Sequence, residues 1–188
     1  MEQQWQFDMN IIMPGDEQDW MHGNAEAAKK YGADKYAIAQ RFQPKRILEI
    51  GVRAGYSAYC FLSACPDAFY LGVDIEYSKY TPYARKILSK FANVNMIIVD
   101  SQMINDFHFA GGFDMIHIDG NHDYKPQFRD MEMSIRNLAD NGVMVVDDYW
   151  INSTVQDACK DFLIKYPQYQ AEVLTTINGD LLITKKTK

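Results

Sequence analysis

Three aspartates stand where two apolar runs end. Asp119 follows in His117-Ile118-Asp119-Gly120-Asn121-His122, and Asp147 and Asp148 in Val146-Asp147-Asp148-Tyr149-Trp150. If these runs are neighbouring strands, their ends lie ~4.8 Å apart and the three carboxylates converge. Such a group repels itself, so it must raise its pKa values or bind a cation. Hard oxygen donors with open positions suit Mg²⁺, with Ca²⁺ or Mn²⁺ as alternatives. The competing role is structural: Asp147 and Asp148 cap a helix starting near Ser153, and Asp119 supports a turn. His122 lies three residues past Asp119. With an ordinary pKa near ~6.5, it could take a proton at neutral pH. His117 falls inside its run and reads as structural, while His22 and His108 have no placed partners.

A second set of residues suits a nucleoside-containing ligand. In Glu49-Ile50-Gly51-Val52-Arg53-Ala54-Gly55-Tyr56-Ser57-Ala58, Gly51 and Gly55 let the backbone turn tightly and approach a ligand closely. The dinucleotide fingerprint needs glycines where Arg53 and Tyr56 stand, so a nicotinamide or flavin dinucleotide is disfavoured. Further along, Gly72-Val73-Asp74 offers an acidic side chain to ribose hydroxyls. Val99-Asp100-Ser101-Gln102 offers groups for an adenine amino group. Each aspartate alone could be a helix cap, and the glycine turn could be empty. Three such positions in order at strand ends point to a ligand.

Positioning these groups requires parallel strands with a common carboxyl edge. Residues 46–50, 69–73, 94–99, 113–118 and 142–146 read as buried strands, being β-rich and barely alternating. Helices are expected over 25–42, 55–64, 82–91 and 125–138, the last from Phe128, Met131, Ile135 and Leu138 at steps of 3, 4 and 3. Val155, Cys159 and Phe162 mark another helix. Strand alternating with helix implies a doubly wound parallel α/β sheet. Residues 173–176 and 181–184 flank Asn178-Gly179, a tight-hairpin signal that makes the last strand antiparallel. Residues 1–24, with Trp5, Phe7, Met13, Trp20 and Met21, read as an arm packed on the domain or a lid over a ligand site; residues 25–188 read as one domain.

The 188 residues suit a single domain. Lys+Arg is 19 against Asp+Glu 25, a formal charge of −6, which disfavours a mainly electrostatic nucleic-acid binder. Cys60, Cys65 and Cys159 cannot form a fully paired disulfide set and lack metal-finger spacing, which fits a reducing compartment. The first residues carry no signal-peptide pattern, and no apolar run approaches the ~20 residues needed to span a bilayer. A soluble cytoplasmic protein is expected, with no membrane partner.

From Glu49-Ile50-Gly51 through Gly55-Tyr56-Ser57-Ala58, the chain resembles the class I S-adenosylmethionine (SAM)-dependent methyltransferases. Within them this run looks in particular like the cation-dependent small-molecule O-methyltransferases of the catechol and caffeoyl-CoA type. The resemblance covers roughly residues 30–184. It implies a Rossmann-like fold with a seven-stranded, mostly parallel sheet and an antiparallel C-terminal hairpin strand. It implies cofactor contacts from Gly51, Gly55 and Ser57 at the methionine part, Asp74 at the ribose, Asp100 or Ser101 at the adenine, and further contacts from Glu49 and Asp119. Asp119, Asp147 and Asp148 match the family's metal ligands, Asp148 standing where the catechol type carries Asn, as in the macrolide-sugar type. His122 matches that type's basic histidine, which makes it the expected general base.

The implied reaction is metal-assisted methyl transfer to a hydroxyl of a small molecule, a vicinal diol or catechol, with Tyr149, Trp150 and the N-terminal aromatics walling the acceptor pocket. Relatives are often homodimers, so a homodimer is expected. The alternatives are an RNA nucleoside as acceptor, which the acidic balance opposes, and a non-catalytic cofactor-binding scaffold, which should have lost the carboxylates or His122 first.

Overall fold

The computed structural model describes residues 5–16, 20–75 and 79–186. Its chain order is α1 (Ala25–Phe42), β1 (Arg46–Ile50), α2 (Tyr56–Ala64), β2 (Phe69–Asp74), α3 (Tyr80–Leu88), β3 (Val94–Ile98), β4 (Phe113–Ile118), α4 (Tyr124–Asn137), β5 (Leu138–Val146), α5 (Ser153–Lys165), β6 (Tyr169–Val173) and β7 (Leu181–Lys185). The strands form one seven-stranded sheet in the order β3-β2-β1-β4-β5-β7-β6. The first five are parallel, and β7 runs antiparallel to both β5 and β6. This is the doubly wound, Rossmann-like α/β fold with its antiparallel end, and the chain order reverses between β1 and β4.

Apolar runs bury both faces of the sheet. Ile47, Tyr70, Met115, Val145 and Leu182 pack beneath α1 and α2. Leu48, Ile50, Ile116, Met144 and Val146 pack with Met131 of α4 and Val155, Cys159 and Phe162 of α5. Period two along each strand sorts the side chains between these layers. It also drops Glu49 and His117, paired in register across β1 and β4, into the α1/α2 layer.

The carboxyl ends align because the ladder continues past the strands. Gly51 donates to the Val73 carbonyl, Asp119 to Ile50, Asp147 to Ile118 and Val99 to Asp74, at 2.8–3.0 Å. Residues 51, 74, 100, 119 and 147 thus stand along one edge, where open α/β sheets bind ligands.

The end of the chain departs from expectation in one respect. β6 stops at Val173, and seven residues, not a two-residue turn, join it to β7. The loop is longer because its polar groups bond inward. Asp180 N–H donates to Thr176 Oγ1 (2.7 Å), and Leu174 N–H to the Asp180 carbonyl (2.8 Å). The carbonyls of Asn178 and Gly179 accept from Trp150 and Tyr149. Asn178-Gly179 therefore sits inside a wider loop folded against the end of β5. β5 also begins four residues before the expected 142, pairing Leu138 with Phe113 across a register shift.

Ahead of α1, residues 5–16 lie on the helical layer. Phe7 is buried against Gly32, where an added Cβ would stand 2.2 Å from its ring. Trp5 stacks on Tyr36 with ring centres 4.3 Å apart. Met13 N–H donates to Tyr56 Oη (2.8 Å), and Tyr83 Oη to the Ile11 carbonyl (3.0 Å). All three cysteines are free and buried. No described helix is long and apolar enough to cross a membrane.

Candidate active site

The turn after β1 makes the first wall. Gly51 has φ +85°, and a Cβ there would stand 2.0 Å from the Asp119 carbonyl oxygen; only glycine lets the β1 and β4 ends come this close. Gly55, φ +81°, opens α2 against Ala84 of α3. Between them, Val52 and Arg53 donate their N–H groups to Asp74 Oδ2 (2.9 and 2.7 Å). Asp74 thus fixes the glycine turn as well as standing at the ligand edge. A cavity of about 390 Å³ opens here, lined by Gly51, Asp74, Asp100, Ser101, Gln102 and Asp119 among others. Asp100 Oδ1 accepts from Gln102 N–H (2.9 Å), and Gln102 Nε2 donates to Asp130 Oδ1 (2.8 Å).

A second cavity, about 520 Å³, lies on the other side of Arg53. Gly55, Ser57 and the three carboxylates Asp119, Asp147 and Asp148 meet an apolar rim of Trp20, Met21, Tyr31, Ile151 and Ile177. Arg53 and Asp119 line both cavities. Both volumes are of the size that holds small ligands.

The carboxylates divide into two environments. Asp119, His122 and Asp148 are half-buried and each offers a ligand atom within 4.8 Å of the others. His122 Nε2 lies 3.4 Å from Asp119 Oδ1 and 3.5 Å from Asp148 Oδ2, between the two carboxylates. Burial, then the charges of Asp147 and Asp119, push the Asp148 carboxyl up to about 6. Burial and Asp147 raise Asp119 as well, and Asp119 beside His122 raises the imidazole. Protons are thus held where a cation would relieve the same repulsion. Asp148 is one of four non-glycine residues with positive φ among those described, at +58°.

Asp147 belongs to the interior instead. Its Oδ2 meets Lys35 Nζ of α1 at 2.8 Å, and its Oδ1 accepts from Asp148 N–H at 2.9 Å. Lys35 also meets Asp180 Oδ1 at 2.6 Å, and all three side chains are 1% exposed or nearly so. Burial opposes charge on Asp147, and the Lys35 ammonium outweighs it, holding the pKa below its usual value. Beneath them His117 Nδ1 lies 2.9 Å from Glu49 Oε1, and Glu49 accepts the hydroxyls of Ser57 and Tyr70. Neither aspartate caps α5: Asn152 does, accepting from Thr154 and Val155.

Of the residues singled out from sequence, Gly51, Asp74, Asp100, Ser101 and Asp119 line the first cavity, and Gly55, Ser57, Asp119, Asp147 and Asp148 the second. Glu49 and His122 are among the lining residues of neither; Glu49 is fully buried below the floor, and His122 stands behind Asp119 and Asp148. Sequence reasoning passed over Lys35, Asp180, Arg53 and Tyr31. Lys35 did carry a signal, being a lysine spaced at 3, 4 and 3 with Ala28, Tyr31 and Ile38 on the stripe that α1 buries.

A family model described as a methyltransferase domain matches residues 48–149, more than half of the chain. Among solved structures, the chain is similar to the SAH-bound methyltransferase PaMTH1 of Podospora anserina, with a TM-score of 0.72, 21% identity, and coverage of 97% of this chain and 90% of that one. It is also similar to TomG of Streptomyces achromogenes, an O-methyltransferase of tomaymycin synthesis in complex with SAM (TM-score 0.68, 20% identity, coverage 85% and 81%). An O-methyltransferase of Bacillus cereus in complex with SAH matches with a TM-score of 0.65, 19% identity and coverage of 82% and 80%. At such identities the likeness is one of fold. No curated protein sequence matches the chain.

Proposed function

The chain belongs to the methyltransferase-domain family, and from that premise we propose that it transfers a methyl group from SAM to a hydroxyl oxygen of a small molecule, assisted by a divalent cation. One observation carries the reading: two ligand-sized cavities meet at Arg53 and Asp119, one edged by Asp74, Asp100, Ser101 and Gln102 and the other by carboxylates under an apolar rim.

The first cavity fits the cofactor, because Asp74, Asp100, Ser101 and Gln102 line it beside the Gly51 turn, polar groups of the kind a ribose and an adenine need. Asp74 would take the ribose, and Asp100, Ser101 and Gln102 the adenine end. Gly55 and Ser57 would line the way to the methyl. SAM supplies a methyl already activated on sulfonium, so the protein's task is chiefly alignment. The donor set also fits a hard cation: the Asp119 and Asp148 carboxylates converge closely enough to hold it. Such an ion would act as a Lewis acid on an acceptor hydroxyl. Asp119 and Asp148 face the acceptor cavity with His122 behind them, and His122 would be the general base that takes the hydroxyl proton. General-base help of this kind typically contributes ~10²–10⁴-fold. Trp20, Met21, Tyr31, Ile151 and Ile177 form an apolar seat suited to an acceptor with a flat or hydrocarbon body and one polar, hydroxylated edge. Residues 5–16 and 20–24 act as a fixed arm in this reading, contributing Trp20 and Met21 to that seat.

The test is calorimetric titration of SAM into metal-stripped protein, then Mg²⁺ into the complex. Both should bind, and Asp148→Ala should remove the Mg²⁺ signal while SAM affinity changes less than about threefold. Absence of SAM binding overturns the reading; SAM binding without any Mg²⁺ signal overturns its metal half alone.

A further inference from the structure

The end of β5 puts two adjacent carboxylates into opposite situations. Asp147 turns inward and Asp148 outward, and the difference originates one layer away, on α1. Lys35 occupies a position of the stripe that α1 buries, between Tyr31 and Ile38, and is 1% exposed. A lysine is almost never fully buried unless paired, and this one is paired twice, to Asp147 at 2.8 Å and Asp180 at 2.6 Å. His117 Nε2 stands 3.4 Å from the ammonium, and the Tyr31 ring centre 5.2 Å.

The Asp147 carboxylate is therefore committed on both oxygens. Oδ2 holds Lys35, and Oδ1 takes the N–H of Asp148, whose φ of +58° is a strained setting for a residue with a side chain. That bond helps hold the turn directing Asp148 toward Asp119 and His122. On the far side of Lys35, Asp180 anchors the 174–180 loop. Asp34, the preceding residue of α1, accepts the N–H of Ile177 at 2.9 Å, so successive residues of α1 tie down the loop that walls the acceptor cavity.

We propose that Lys35 is an internal counter-cation that withholds Asp147 from any divalent ion, so that Asp119 and Asp148 are the ion's carboxylate ligands and Asp147 acts as a positioning residue. The proposal rests on the reading above in supposing that the site takes a divalent ion. Ligation by Asp147 would draw its carboxylate away from Lys35 and give up one of the two buried ion pairs that hold the ammonium, a cost that ligation by the half-buried Asp119 and Asp148 does not carry. Two carboxylates in place of three also mean a weaker site, since affinity for hard cations follows the ligand charge count. Lys35 thereby tunes the site toward an ion that comes and goes with the acceptor rather than one held permanently.

The experiment is titration of Mn²⁺ into the SAM-saturated full chain, read by the free-Mn²⁺ electron paramagnetic resonance signal. Asp148→Asn should weaken Mn²⁺ at least about tenfold, whereas Asp147→Asn, which leaves Lys35 its Asp180 partner, should change it by less than about threefold. The decisive variant is K35M/D180N, which removes one positive and one negative charge and so preserves the local net charge. With Lys35 gone, Asp147 becomes available, and Mn²⁺ should bind at least about tenfold tighter. A gain of affinity is not something a merely structural lesion produces. SAM affinity within about threefold of wild type checks that each variant is folded; if K35M/D180N is not, the Asp147→Asn and Asp148→Asn comparison decides alone. Asp147→Asn weakening Mn²⁺ as much as Asp148→Asn, or a folded K35M/D180N with unchanged affinity, overturns the proposal. Wild-type protein that binds SAM and no Mn²⁺ overturns the metal reading, and this proposal with it.

Discussion

Asp130 shows how one buried carboxylate can govern stability at a distance from the chemistry. It is 1% exposed on α4, takes Gln102 Nε2 on Oδ1, and leaves Oδ2 without a partner. Burial, only partly offset by the hydrogen bonds of Ser101 and Gln102, raises its carboxyl from the usual 3.8 to about 6. A raised carboxyl binds its proton more tightly in the folded state. Its favourable contribution is therefore complete below pH ~4 and lost as the pH rises through ~6, on the order of 3 kcal/mol. Asp130→Asn should unfold at higher urea than wild type at pH 7.5, by up to that amount, and show no gain at pH 4. Equal or lower stability at pH 7.5 would contradict the account. At this scale the sequence is legible where residue type and position at a strand end coincide, as at Asp74, Asp119 and Asp148. It is opaque where a partner comes from another layer. Nothing near Asp147 announces Lys35, 112 positions earlier, and the burial of Glu49 follows from which side of β1 faces α2.

Each element is positioned by a few backbone contacts, and these can be broken singly. Gly51→Ala places a methyl 2.0 Å from the Asp119 carbonyl at a φ of +85°, so the β1 and β4 ends must separate. Strain of this kind costs on the order of 1–3 kcal/mol. The expected result is a lower melting temperature and at least about a tenfold loss in SAM affinity, measured by calorimetry; unaltered affinity would mean that the ligand does not use this turn. Strands β1 and β4 match the sequence reading end for end because continuous apolar runs bounded by turn residues leave no other solution. The hairpin does not, since Asn178-Gly179 states that a turn occurs and not how long it is. The length is set by Asp180 and Thr176, which bond into the interior.

Across the whole molecule, the arm joins elements that are far apart in sequence. Asp16 is buried and meets Arg53, Lys79 and Tyr80, while Tyr83 holds the carbonyls of Ile11 and Ile12. The D16N/Y83F variant should speed amide hydrogen exchange over residues 5–16 by about an order of magnitude and leave β1 and β4 unchanged. Equal exchange in both proteins would show that apolar contacts such as Phe7 on Gly32 suffice. The sequence offered two roles for these residues, arm or lid, because aromatic content reports that a segment is buried without saying against what.

The wall shared by the two cavities has a thermodynamic consequence. Arg53 and Asp119 cannot adjust to one occupant without altering the surface presented to the other. If filling the first cavity improves affinity in the second by some factor, linkage requires the second to return that factor to the first. The demethylated cofactor shares most contacts of the donor, so it should inherit most of this mutual reinforcement. Product and unreacted acceptor would then hold one another in place, and clearance of spent cofactor, rather than the methyl transfer, would become the natural point at which turnover is throttled.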